Sequence, residues 1–148
     1  MGIFSEPAVR FGAIPLEGVL NTLRESTKIH AALISRLGSV QGNVAIGMLK
    51  DGDLSGLLGY EVYAFLSDEI ENEAVAVWGG YTFDPNEPLD INMHFPVNIM
   101  MYEKVYYVFA FEYGNVGYFR SKSAAKSYID FEYFDLNEMP GFEHSNSG

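Results

Sequence analysis

Residues 104–130, KVYYVFAFEYGNVGYFRSKSAAKSYID, show most clearly how this chain folds. Apolar and aromatic residues fill positions 105–111, and one face of an extended chain would carry Val105, Tyr107, Phe109, Phe111 and Tyr113. The EYGN tetrapeptide then indicates a turn, and VGYFR continues as a partner strand. Ser121 precedes a short helical segment, where a serine side chain suits the N-cap. The sequence therefore predicts a β-hairpin followed by a helix.

Upstream of this stretch, the spacing of apolar residues changes once, from helical to strand-like. A long amphipathic helix is predicted over about 16–37, because apolar residues recur at helical spacing and Gly38 follows as a C-cap. Beyond it the apolar runs are short and rich in β-branched residues, which favours strands. The predicted strands are 44–49, 56–66 and 73–83, with a loop over 84–92.

These elements predict an α+β fold with a long N-terminal amphipathic helix, an antiparallel meander of about five strands and a short C-terminal helix. Residues 1–136 are predicted to form a single domain, since 148 residues are enough for one buried core. Residues 137–148, which end in HSNSG, are predicted to be a flexible tail.

The stretch DGDLSGLLGYEV, residues 51–62, resembles a calcium-binding loop at its start. Asp51, Asp53 and Ser55 alternate, but the twelfth position, which should supply a bidentate carboxylate, is Val62. Asp51-Gly52 between two apolar runs instead favours a type I′ β-hairpin. The sequence therefore predicts a hairpin here, and neither a metal nor a cofactor.

The acidic charge is concentrated in one third of the chain. The net charge is −11, and the block 51–103 contains eleven acidic residues and no lysine or arginine. Such a block disfavours phosphate backbones, which bind through basic side chains, and favours a basic protein partner. The predicted docking residues lie in the acidic turn SDEIENE and in the loop after it: Asp68, Glu69, Glu71, Glu73, Asp84 and Glu87.

Several classes of function find no support in the sequence. The chain has no cysteine, and its longest apolar run is far shorter than a membrane span, so a cytoplasmic protein without membrane contact is predicted. No phosphate-binding loop and no G-x-S-x-G motif occur. We therefore predict a non-enzymatic acidic binding protein, of the inhibitor, immunity or DNA-mimic type known from phage and bacterial defence.

Two alternatives remain open. A small-molecule-binding or hydrolytic domain would use an aromatic pocket with two polar groups: Tyr63, Trp78, Tyr81, Tyr107 and Phe109, with Asp90 and His94. A subunit of a larger assembly, or a homo-oligomer, would associate through the apolar stripe of the first helix. His30 falls on that stripe and is predicted to be a core or interface histidine with one satisfied nitrogen.

Overall fold

The computed structural model describes residues 9–59, 61–82, 95–111 and 113–133. Over these residues the chain forms six helices and a four-stranded sheet, which confirms the α+β class. The helices are α1 (Leu16–Thr22), α2 (Thr27–Leu37), α3 (Ser39–Asp51), α4 (Leu54–Leu58), α5 (Val62–Glu73) and α6 (Lys122–Glu132). The strands are β1 (Val75–Tyr81), β2 (Pro96–Tyr102), β3 (Val105–Ala110) and β4 (Gly114–Phe119).

The chain divides into two compact units. The helical unit comprises residues 16–74 and contains α1 to α5, and the sheet unit comprises residues 1–15 and 75–148. The single domain over 1–136 stays a prediction. The predicted tail, 137–148, and the predicted loop, 84–92, both lie outside the described residues.

The sheet is an antiparallel meander in the order β1-β2-β3-β4, so the prediction of a meander is confirmed and its strand count is corrected from five to four. Helix α6 covers one face, where Trp78, Ile99 and Phe119 form a core with residues of the helix. The N-cap prediction is also confirmed, because the Ser121 hydroxyl accepts a hydrogen bond of 3.1 Å from the Ala124 amide.

Two predicted strands, 44–49 and 56–66, are wrong, because 44–49 lies in α3 and the described helical residues of 56–66 belong to α4 and α5. In α3, Gly42, Ala45 and Leu49 are buried at helical spacing. A Cβ atom at Gly42 would approach the Ile34 Cα to 2.7 Å, so glycine allows α3 to lie directly against α2. Gly42 therefore serves helix packing.

The predicted long helix is interrupted between α1 and α2. Ser26 has an extended backbone, and its hydroxyl accepts a hydrogen bond of 3.1 Å from the Ile29 amide, which makes it the N-cap of a new helix. The break shifts the buried stripe. In α2 the buried residues are Ile29 and Leu33, and not His30, which the predicted stripe contains. His30 is half-buried, and its Nε2 lies 2.8 Å from the Arg24 carbonyl oxygen across the break, as predicted for a structural histidine.

The predicted hairpin at Asp51-Gly52 is wrong, because this dipeptide ends helix α3. Gly52 is left-handed, with φ 79°, and its amide hydrogen-bonds the last carbonyl oxygens of the helix. Asp53 then caps α4, with its carboxylate accepting from the Gly56 amide at 3.1 Å and from the Ser55 hydroxyl at 3.3 Å. The residues that resembled calcium ligands thus lie at two helix ends.

Candidate functional site

Helix α5 carries four of the predicted docking residues. The segment SDEIENE was predicted to be a turn, and that prediction is wrong, because residues 67–73 continue α5 to its last residue. The apolar residues Val62, Leu66 and Ile70 recur every fourth position and are fully buried, which explains why the segment is helical. Asp68, Glu69 and Glu71 lie off this buried row, and Glu73 ends the helix at an exposed position.

These carboxylates occupy an unfavourable position for helix stability. Asp68, Glu69, Glu71 and Glu73 all fall within the last six residues of α5, where the carbonyl groups carry partial negative charge, and the last turn contains no basic residue. Within the described ranges, none of the four belongs to an ion pair. This negative charge is therefore not compensated by its own helix.

The four carboxylates form two rows on different sides of α5. At 100° per residue, Asp68 and Glu71 fall nearly opposite the buried row, and both are exposed. Glu69 and Glu73 are one turn apart and face a groove between α2 and α5. We call the Asp68 and Glu71 side of the helix the outer acidic row.

The α2/α5 groove lies within the helical unit and has a volume of about 550 Å³. The eight residues that line it are Lys28, Ala31, Ala32, Ser35 and Arg36 from α2, with Phe65, Glu69 and Glu73 from α5. The Arg36 guanidinium lies over the Phe65 ring, 5.4 Å from its centroid. The groove thus combines small residues with charged residues of both signs, which we call its α2 rim (Lys28 and Arg36) and its α5 rim (Glu69 and Glu73). The sequence analysis missed this feature.

The remaining predicted docking residues, Asp84 and Glu87, lie outside the described residues. The same holds for Asp90 and His94 of the alternative pocket, and nothing is described of the Tyr63 side chain on α5. The docking site is therefore described only through α5.

The structure places Trp78 and Tyr107, two residues of the predicted aromatic pocket, on opposite faces of the sheet. Trp78 belongs to the core under α6 together with Val108, and the Lys126 ammonium lies 5.5 Å from the indole centroid. Side chains alternate along a strand, so Tyr107 points away from that core, and its ring meets Tyr118 at 6.0 Å. These two residues therefore do not line one cavity.

Tyr81 and Phe109 lie on the same face as Tyr107, because β1 and β3 both pair with β2 in a regular ladder there. Tyr81 is exposed, and Phe109 is half-buried. Apart from Trp78, the described part of the predicted pocket is thus an aromatic sheet face.

A second group of aromatic rings lies where α6 meets the sheet. The ring centroid of Tyr133 lies 6.1 Å from that of Tyr128 and 6.0 Å from that of Phe95. The Tyr128 ring also stacks on the Phe119 ring, with a centroid distance of 5.6 Å. Burial, followed by the neighbouring Tyr128, raises the pKa of the Tyr133 hydroxyl. The Tyr133 hydroxyl therefore stays neutral at physiological pH. The ring distances show that this group is a packed aromatic cluster.

Other kinds of site receive little support from the described ranges. No three histidine or acidic side chains gather there as a metal site would require. No described helix is both long and apolar enough to cross a membrane. Comparisons with protein-family models, with curated proteins and with solved structures found no significant match to this chain.

Proposed function

We propose that this chain is a non-enzymatic binding protein that docks a basic partner protein through the outer acidic row of α5. The proposal rests mainly on one observation: carboxylates are concentrated at the C-terminal end of a helix, and none of them forms an ion pair with another described residue. Such charges oppose the helix dipole and destabilise the fold. A binding role accounts for this cost, since functional surfaces are often destabilising.

The electrostatics favour a protein partner with a basic surface. Exposed charge steers an oppositely charged partner and increases its association rate, and it repels the phosphate backbone of nucleic acid. The helical unit, residues 16–74, contains nine acidic and four basic residues and carries a net charge of −5. Inhibitors, immunity proteins and DNA mimics use this kind of surface, and we propose the cytoplasm as its location.

The test compares three proteins that differ only in exposed charge. The parent, the variant Asp68→Asn/Glu71→Gln and the control Glu17→Gln/Glu25→Gln are immobilised and exposed to cell lysate at low and at high salt. Both variants remove two exposed carboxylates from the helical unit, so their net charges are equal.

We expect the parent and the control to retain the same protein at low salt, and the outer-row variant to lose it. Retention by all three proteins would contradict a role for the outer acidic row. Loss by both variants would show that only net charge matters, which also contradicts the proposal.

A further inference from the structure

The α2/α5 groove carries charges of both signs in an ordered arrangement. Its two cations, Lys28 and Arg36, stand on the α2 rim, and its two carboxylates, Glu69 and Glu73, stand on the α5 rim. Lys28 and Arg36 are eight residues apart, and a rise of 1.5 Å per residue separates them by about 12 Å along α2. The groove is thus electrically balanced, unlike the outer acidic row.

This balance limits what the groove accommodates. A uniformly basic surface would meet Glu69 and Glu73 favourably, but Lys28 and Arg36 would repel it. The groove therefore fits a partner that presents cations to the α5 rim and carboxylates to the α2 rim. The chain itself presents such a surface, because its own groove carries both rims.

We propose that a second copy of this chain docks on the α2/α5 groove and forms a two-fold symmetric dimer. In such a dimer each surface patch meets its own copy. A two-fold axis along the groove places the α2 rim of each copy opposite the α5 rim of the other. The cations of each copy then face the carboxylates of the other copy. A two-fold axis across the groove would instead place the cations of one copy against those of the other. Charge complementarity therefore selects one arrangement.

The uncharged residues of the groove are compatible with close approach of another helix. Ala31, Ala32 and Ser35 are small, and Phe65 offers a half-buried aromatic ring beside them. Apolar contacts at the centre with charged residues at the rim are typical of protein interfaces. The dimer uses Glu69 and Glu73, so the outer acidic row stays available, and this inference does not depend on the proposed function.

The experiment uses charge reversal on each rim. Lys28→Glu/Arg36→Glu makes the groove wholly acidic, and Glu69→Lys/Glu73→Lys makes it wholly basic. The control, Asp68→Lys/Glu71→Lys, introduces the same charge change as the basic variant on the other side of α5. Sedimentation velocity at low salt measures the mass of each protein over a range of concentrations, and circular dichroism checks that each protein is folded.

We expect the parent and the control to sediment at twice the monomer mass of 16.5 kDa. Each groove variant alone should have a dimer dissociation constant at least about tenfold higher than that of the parent, because like charges then face each other. An equimolar mixture of the two groove variants should form dimers again, since an acidic groove then faces a basic one.

A parent that stays monomeric up to about 1 mM would contradict the dimer, because a dissociation constant of that size corresponds to a binding free energy of only about 4 kcal/mol. The groove would then fit a partner helix that carries charges of both signs. Folded variants that remain dimeric alone would overturn the proposed dimer too, as would a mixture that does not associate. Should a reversal variant fail to fold, Ala31→Arg replaces it, because Ala31 is an exposed helix residue that lines the groove. Undiminished dimerisation of that variant would contradict the proposal.

Discussion

Removing the outer acidic row should make the protein more stable. In Asp68→Asn/Glu71→Gln, the carboxylate of Glu71 leaves the last turn of α5, where it opposes the helix dipole at a cost of about 0.3–1 kcal/mol. The like-charge pair that Asp68 forms with Glu71, three residues apart, costs a further ~0.2–0.5 kcal/mol. Together these terms raise the free energy of unfolding by roughly 0.5–1.5 kcal/mol.

Thermal unfolding measures this gain. At about 4 °C per kcal/mol, the melting temperature should rise by roughly 2–6 °C in low salt. In 1 M salt the screening length falls to about 3 Å, and most of the gain should disappear.

The control is Glu17→Gln, which removes one exposed carboxylate from the first turn of α1. A carboxylate at a helix N-terminus is stabilising, so this variant should lose about 0.3–1 kcal/mol. The two variants thus change the net charge in the same direction and stability in opposite directions. An unchanged melting temperature for the outer-row variant at low salt would refute the reasoning. A rise in both variants would show that overall repulsion decides stability, and would refute the role of position along the helix.

Three further predictions concern the fold of the helical unit. Gly42→Ala should destabilise the protein by about 1–3 kcal/mol because its Cβ meets the Ile34 backbone, whereas Gly47→Ala in the same helix has free space and should stabilise by about 0.5–1 kcal/mol; denaturant unfolding of both variants checks this, and equal effects would contradict the helix contact. Leu23→Asp places a charge at a buried position directly after α1 and should cost several kcal/mol, so a variant as stable as the parent would contradict the burial of Leu23. Millimolar calcium should leave the melting temperature unchanged, because the Asp53 carboxylate already caps α4; a rise of several degrees that EDTA reverses would contradict this.

The sheet unit was predictable where local signals agree with tertiary packing. Strand β3 and the end of β4 are rich in β-branched and aromatic residues, and Ser121 supplies a local cap, so strand, turn and helix follow from neighbouring residues. The register of the ladder, and the separation of Trp78 from Tyr107 onto two faces, need the pairing between strands. Sequence alone does not contain that pairing.

The helical unit shows why short apolar runs mislead. A glycine after an aspartate suits both a type I′ turn and a helix C-terminus, because both require a left-handed residue, and Gly52 takes the second role. Gly42 weakens helix propensity locally, yet the close contact with α2 requires it. Ser26 was a readable N-cap signal, but an apparently continuous apolar stripe obscured it. Tertiary contacts decide each of these cases.

The candidate site was predictable in composition and not in geometry. The sequence located the acidic block, since charges are read directly from residues. It did not show that Asp68 and Glu71 share an outer face, or that Glu69 and Glu73 line a groove opposite Arg36. That division depends on α5 being a helix, and the segment was expected to be a turn.

The most direct test of the central claim is the association rate of the retained partner with the parent and with Asp68→Asn/Glu71→Gln, measured by stopped flow across a range of salt concentrations. Electrostatic steering increases association rates by about 10-fold or more, and salt suppresses it. The account predicts that the parent associates several-fold faster than the variant at low salt, and that the two rates converge at high salt. Equal rates at every salt concentration would contradict docking through the outer acidic row.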